Sequence, residues 1–172
     1  LLGGSASFAE STSIGNESQI PLAIFTQNYA TIADGFVKAE NWYTVAKLYG
    51  FKVLSSSGTP RRDFVPCRSP AGEVGLYDLV TARFYGNEGT GHFFAPDDEG
   101  LFVSFAESTG IQWVDTGYAH DANTVVDLSV QFPALPAKNQ WWSYFGARQN
   151  SSRGTQFGAW IYDPSGTDTY HY

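Results

Sequence analysis

The sequence is short of cysteine, of methionine, of charge and of long apolar runs, and each shortage removes a class of protein. Cys67 is the only cysteine, so no internal disulfide can staple the fold. The longest apolar stretches run to a handful of residues, far below the ~20 that a membrane-spanning helix needs. The first residues carry no basic stretch of the kind that opens a signal peptide, so a soluble chain without membrane insertion is expected, one whose signal is already gone if it is exported. Charged residues make up only 16% of the chain against 42% hydrophobic, a balance that excludes a solvating or disordered polymer. Ten Lys and Arg stand against 17 Asp and Glu, giving a net charge of −7 with no basic run. Nucleic acid and anionic membrane surfaces are therefore excluded as partners.

What is present points to strands. Aromatic residues reach 16%, and 18 Gly and 8 Pro supply turns. A chain of 172 residues has the length of one domain or two very small ones. Thr124 to Phe132 alternates most cleanly, with Val126, Leu128, Val130 and Phe132 on one face and Asp127, Ser129 and Gln131 on a wet one. Val45 to Leu54 reads as a central strand covered on both sides, with Tyr49, Phe51 and Val53 sharing a face. Arg62 to Arg68 follows as a strand that Pro66 places at an edge or bulge. Further strands are expected at residues 1–10, 20–26, 74–77, 83–85, 92–94, 101–107, 111–115, 141–147, 155–162 and 168–172. Gln27 to Asn41 has mixed spacing and reads as loop. The pattern predicts an all-β fold, a two-sheet antiparallel jelly-roll sandwich. Ser7-Phe8-Ala9-Glu10-Ser11-Thr12 recurs as Ser104 to Thr109, which reads as a shared strand-to-turn solution or a coincidence.

Chemistry-bearing patterns are sparse. Glycoside cleavage needs two carboxylates at a fixed separation, and no strand projects such a pair; Asp97-Asp98-Glu99 sits in a solvated loop. His92, His120 and His171 lack zinc-ligand spacing. The Gly86 to Gly91 run is turn chemistry and not a phosphate cradle, and Cys67 has no His beside it in sequence and reads as a buried strand residue. No cofactor is expected. Asp115, Asp127, Asp163 and Asp168 offer oxygen ligands for a structural calcium, but no motif fixes their convergence. Asn16 and Asn150 fit the short glycosylation pattern. Trp141 and Trp142 are adjacent in a strand and must point to opposite faces, so one of them is a candidate sugar platform, as are Tyr170 and Tyr172.

Two stretches carry a family resemblance. Ala46 to Val53, Arg62 to Arg68, Gly72 to Asp78 and Phe84 to Gly91 resemble the end of a LamG-like jelly roll of the concanavalin A-like lectin/glucanase superfamily. Phe105 to Tyr118, Trp142 to Arg148 and Gln156 to Ile161 resemble the beginning of one. The halves stand in permuted order: residues 1–95 match the C-terminal half, 96–100 form a connecting loop, and 101–172 match the N-terminal half of a single domain. The resemblance implies an extracellular or cell-surface β-sandwich with lectin-like recognition. Permuted order fits a circularly permuted monomer, a unit cut across tandem repeats, or a sandwich completed by strand exchange between chains. For the last, Leu1, Leu2, Tyr170, His171 and Tyr172 are the candidate assembly residues, with copies of the chain as partners and a fibre as the product. The expected role is a non-catalytic structural or adhesion module, with glycan binding as the alternative and glycoside hydrolysis least favoured.

Overall fold

A computed structural model describes residues 2–9, 20–31, 35–38, 42–97, 100–133, 140–149 and 156–162. Two largely antiparallel β-sheets pack face to face, and no helix occurs among the described residues. The first sheet has the order β1 (Leu2–Ala9), β11 (Thr124–Phe132), β5 (Val45–Ser55), β6 (Pro60–Arg68), β7 (Val74–Asp78), β8 (Arg83–Tyr85), with β9 (Ala106–Thr109) also on β5. The second runs β10 (Val114–Ala119), β2 (Pro21–Ile24), β12 (Trp141–Gln149), β3 (Asn28–Thr31), β4 (Gly35–Lys38), with β13 (Gln156–Tyr162) on β12.

Alternation explains the layering. In β11 every second residue from Thr124 to Val130 is buried, as the sequence pattern predicts. Val126, Leu128, Leu48, Phe51, Val53, Phe64 and Leu76 from the first sheet meet Leu22, Ile24, Val114, Phe145 and Ala147 from the second in one continuous core. Phe51 and Phe145 touch edge to face across the layers at 5.3 Å, which is the geometry aromatic quadrupoles favour.

Strand β5 is central by pairing, with β11 along one edge and β6 and β9 sharing the other. Two expectations for it need correction. Its register slips against β11, where Ser129 pairs Gly50 and Val130 pairs Leu48, so Tyr49 is an inserted residue. Parity flips there, burying Leu48 and Phe51 and leaving Tyr49 40% exposed. The outer face is also not covered, since Lys52 is exposed and reaches Asp63 at 3.0 Å.

Pro66 sits where β6 parts from β5. Its carbonyl accepts from Val103 N–H at 3.2 Å, and Arg68 N–H donates to the Leu101 carbonyl at 2.7 Å. The ring's missing donor therefore falls on an irregular connection and not on a regular ladder. Residues 101–105 supply only an isolated bridge, Phe102 to Cys67, so the strand expected from Leu101 begins at Ala106. Phe94 is likewise a single bridge to Glu107, and the strand expected from Ile111 begins at Val114. Gln27 to Asn41 is not all loop, because β3 and β4 pair there as a hairpin of short strands. Of the recurring hexapeptide, Ser7–Ala9 lies in β1 and Ala106–Thr109 in β9 of the same sheet.

Candidate functional site

The second sheet has an outer surface unlike its inner one. Register aligns Val114, Ile24, Phe145 and Ala159 in one row, and all four are buried in the core. The neighbouring row, on the opposite face, is Asp115, Ala23, Gly146 and Gly158. Three small residues stand in succession there, with Ala23 and Gly146 buried and Gly158 half-buried. At Gly158 a Cβ would come within 2.5 Å of the Phe145 carbonyl oxygen, so the close approach of β13 to β12 requires glycine there.

A bulge in β12 decides which tryptophan reaches that surface. Ser143 pairs Trp160 and Phe145 pairs Ala159, so Tyr144 is the extra residue and Trp141 and Ser143 share the outer face with Gly146 and Arg148. Segment 42–44 continues the sheet beside them: Ser143 N–H donates to the Trp42 carbonyl at 3.0 Å, and the Thr44 hydroxyl donates to the Ser143 carbonyl at 2.6 Å. Trp42 and Trp141 stack with ring centres 5.1 Å apart and planes 13° from parallel, and the Arg148 guanidinium lies 6.0 Å from the Trp42 ring centre. Both indoles are half-buried.

Gln27 lies over Gly146. A Cβ at Gly146 would sit 3.3 Å from Gln27 Cγ and 3.4 Å from its Nε2. Gln27 is fully buried, yet among the described residues neither Nε2 nor Oε1 has a hydrogen-bond partner, and the neighbouring Thr26 hydroxyl is in the same position. Leaving an amide buried and unpaired costs on the order of 1–3 kcal/mol per group. The turn that presents it is strained, with Phe25 at φ 67° held by its N–H to the Tyr144 carbonyl and by its carbonyl to Thr44 N–H.

The other candidate residues are dispersed. Trp142 is half-buried and adjacent to Trp141, hence on the opposite face. Leu2 is in β1, paired with Phe132 of its own chain. Leu1, Tyr170, His171, Tyr172, Asp163, Asp168, Asn16 and Asn150 lie outside the described residues. Asp115 and Asp127 belong to different sheets, and Asp115 Oδ1 accepts from Gly117 N–H. Cys67 is 4% exposed, and burial pushes its thiol pKa up to about 11, the state of an inert packing residue.

The Gly86 to Gly91 loop is held by its own amides. Asn87 Oδ1 accepts from Gly89 and Trp113 N–H while its Nδ2 donates to the Gly91 carbonyl. Gly89 rests so close to the Ile111 carbonyl that a Cβ would lie 2.1 Å from it. Beside this loop, Glu73 and the exposed His92 line an open cleft.

His120 is buried against the Phe157 ring at 5.1 Å, and among the described residues neither ring nitrogen has a hydrogen-bond partner. Burial lowers its pKa from 6.5 to about 4, with the Asp121 charge opposing the shift. Above pH 6.5 the ring is neutral folded or unfolded and contributes no pH dependence. As pH falls from 6.5 towards 4, the unfolded chain takes up a proton that the native state refuses. Stability should then drop by up to ~1.4 kcal/mol per pH unit, roughly 3 kcal/mol in all, and level off below pH 4. Urea midpoints of wild type and His120→Gln between pH 7 and 4 check this; parallel profiles would show that the native ring protonates freely.

No family model, curated protein or solved structure matches this chain. The likeness to LamG-like domains rests on the sequence stretches that carry it.

Proposed function

We propose that the chain is a non-catalytic carbohydrate-binding module acting outside the cell or at its surface, with the outer face of the second sheet as the binding face. The observation that carries this reading is the stacked, half-buried Trp42 and Trp141 pair on the outer side of β12. Indole faces suit the C–H side of a sugar ring. Asp115, in the outer row of this sheet, accepts from Gly117 N–H, while the buried Asp78 lies in the other sheet within its own hydrogen-bond network, so these two do not form the carboxylate pair across one groove that glycoside cleavage needs.

A glycan array followed by calorimetric titration of the hits tests the proposal. Trp141→Ala should weaken binding by about tenfold, the equivalent of one aromatic contact. Gln27→Leu, at a fully buried position, should leave binding unchanged while raising stability by about 1 kcal/mol, since it removes unpaired polar atoms at similar volume. No glycan bound at millimolar concentration, or binding indifferent to Trp141→Ala, would overturn it.

A further inference from the structure

The outer face of the first sheet carries a depression of about 160 Å³ over β5 and β11, floored by the paired Gly50 and Ser129 and bounded at one end by the paired Lys52 and Asp127. Its floor holds a glycine that the fold does not require. Gly75, Gly89 and Gly158 each stand so near a backbone carbonyl oxygen that a Cβ would lie 2.5 Å or less from it. A Cβ on Gly50 would meet nothing closer than 3.9 Å, and its φ lies outside the left-handed region. Glycine inside a central strand weakens it, and where packing does not call for one it marks a place that something else approaches closely. What the missing side chain leaves is the space above it, which a β-branched residue would fill.

The groups around that space are unspent. Lys52 stands in one row between two carboxylates, Asp127 of β11 and Asp63 of β6, and its ammonium goes to Asp63 at 3.0 Å. Among the described residues, the half-buried Asp127 carboxylate and Ser129 hydroxyl make no hydrogen bond or ion pair. At the other end of the floor the bulge sets Tyr49 beside Gly50, 40% exposed. That ring is held in place: its hydroxyl donates to Gln131 Oε1 at 2.9 Å, and it meets the Phe105 ring edge to face at 5.9 Å.

We propose that this depression is a second saccharide site, taking one hexopyranose ring with its C–H face on Tyr49 and its hydroxyls on Asp127 and Ser129. The class of ligand rests on the carbohydrate-binding reading; the place does not, because Trp141 belongs to the other sheet. Chemistry selects the ligand. An anion would meet two carboxylates with Lys52 already paired, and a metal ion would find one unengaged carboxylate beside an ammonium. An apolar group would leave Asp127 and Ser129 without partners in a drier surrounding. A sugar ring offers an apolar face to the aromatic ring and hydroxyl donors to the carboxylate, the charge-assisted kind of hydrogen bond. One chain then holds two sugars on opposite faces of the sandwich.

Amide-resolved NMR of the full chain titrated with methyl hexopyranosides of gluco, galacto and manno configuration tests this. In wild type and Trp141→Ala alike, at least one of them at millimolar concentration should move the amide signals of Lys52 and Ser129. Gly50→Val should abolish that response while its urea midpoint stays at or above wild type, since the side chain fills open space in a strand that favours it. Asp127→Asn should weaken binding about tenfold through loss of the charged acceptor. Silence of these amides towards every glycoside overturns the proposal, whether or not the Trp141 site responds. A response that survives Gly50→Val overturns it as well, and so does a Gly50→Val midpoint below wild type, which would show that folding needs the glycine. If these amides respond and Trp141→Ala changes no glycan binding, this site stands and the reading of the second sheet falls.

Discussion

Phe51→Ala should cost about 3–5 kcal/mol of folding stability, the range for truncating a fully buried aromatic ring. Phe51 is 0% exposed and stands at the meeting of the two layers. Within its own sheet it pairs with Phe64, the rings 6.1 Å apart, and Phe64 in turn meets Tyr85 edge to face at 5.2 Å. Across the layers it meets Phe145, which leads to Phe157 at 5.7 Å and so to His120. Removing one ring leaves a void between two sheets whose backbones are fixed by their ladders, so the site cannot collapse and the cavity cost adds to the lost transfer energy. Phe102→Ala is the control. That ring is 62% exposed, and its loss should change stability by less than about 0.5 kcal/mol. Urea denaturation of both variants gives the comparison, and a Phe51→Ala cost below about 1 kcal/mol would mean that the chain of rings does not tie the sheets together.

The same ring shows what the sequence could and could not reveal. Phe51 and Val53 are recognisable as core because they alternate with Lys52, and β11 is recognisable because its alternation runs unbroken for the whole strand. The layer class follows from these two elements and the turn residues between strands. Tyr49 breaks the reading of β5 because a bulge inserts one residue and inverts parity, and a bulge is set by the partner's register, which one strand's pattern does not contain. β3 and β4 escape notice for a related reason. Asn28–Thr31 and Gly35–Lys38 are each too short to display a period, and what makes them strands is pairing, to each other and of β3 to β12.

The candidate site was half legible. Adjacent tryptophans in a strand must diverge, so one of Trp141 and Trp142 had to leave the core. Which one does so depends on the bulge at Tyr144, and Trp42 joins it only because segment 42–44 lies alongside Ser143, a contact some hundred residues away in sequence. Gln27 carries no sequence signal at all. A glutamine between β-strands is ordinary, and only the absence of partners around a fully buried amide sets it apart. The N terminus is legible as a strand, and the structure pairs it with β11 of its own sheet, not as a free strand.

Asp78→Ala should be as damaging as the core truncation, at about 3–5 kcal/mol, although it removes no apolar contact. The carboxylate is 0% exposed and fully occupied: Oδ1 accepts from Asp63 N–H at 2.8 Å and Val80 N–H at 3.1 Å, and Oδ2 accepts from the Thr81 hydroxyl at 2.6 Å. Oδ2 also faces Arg62 Nε at 3.5 Å. Arg62 itself crosses between the sheets, with its guanidinium 5.5 Å from the Tyr118 ring and Nε directed at the Thr116 carbonyl of β10. Alanine would orphan two backbone donors and a hydroxyl and would leave the guanidinium without its counter-charge where the layers meet. The loss of a partner, more than the loss of the pair's own attraction, sets the magnitude. Asp78→Asn separates the contributions, because its carbonyl oxygen can still accept from Asp63 and Val80 while the charge is gone. Its cost should fall between wild type and Asp78→Ala. Urea melts with unchanged m-values would report these as native-state effects. If Asp78→Ala unfolds within about 1 kcal/mol of wild type, water reaches the abandoned donors and this edge of the sandwich is open, not clasped.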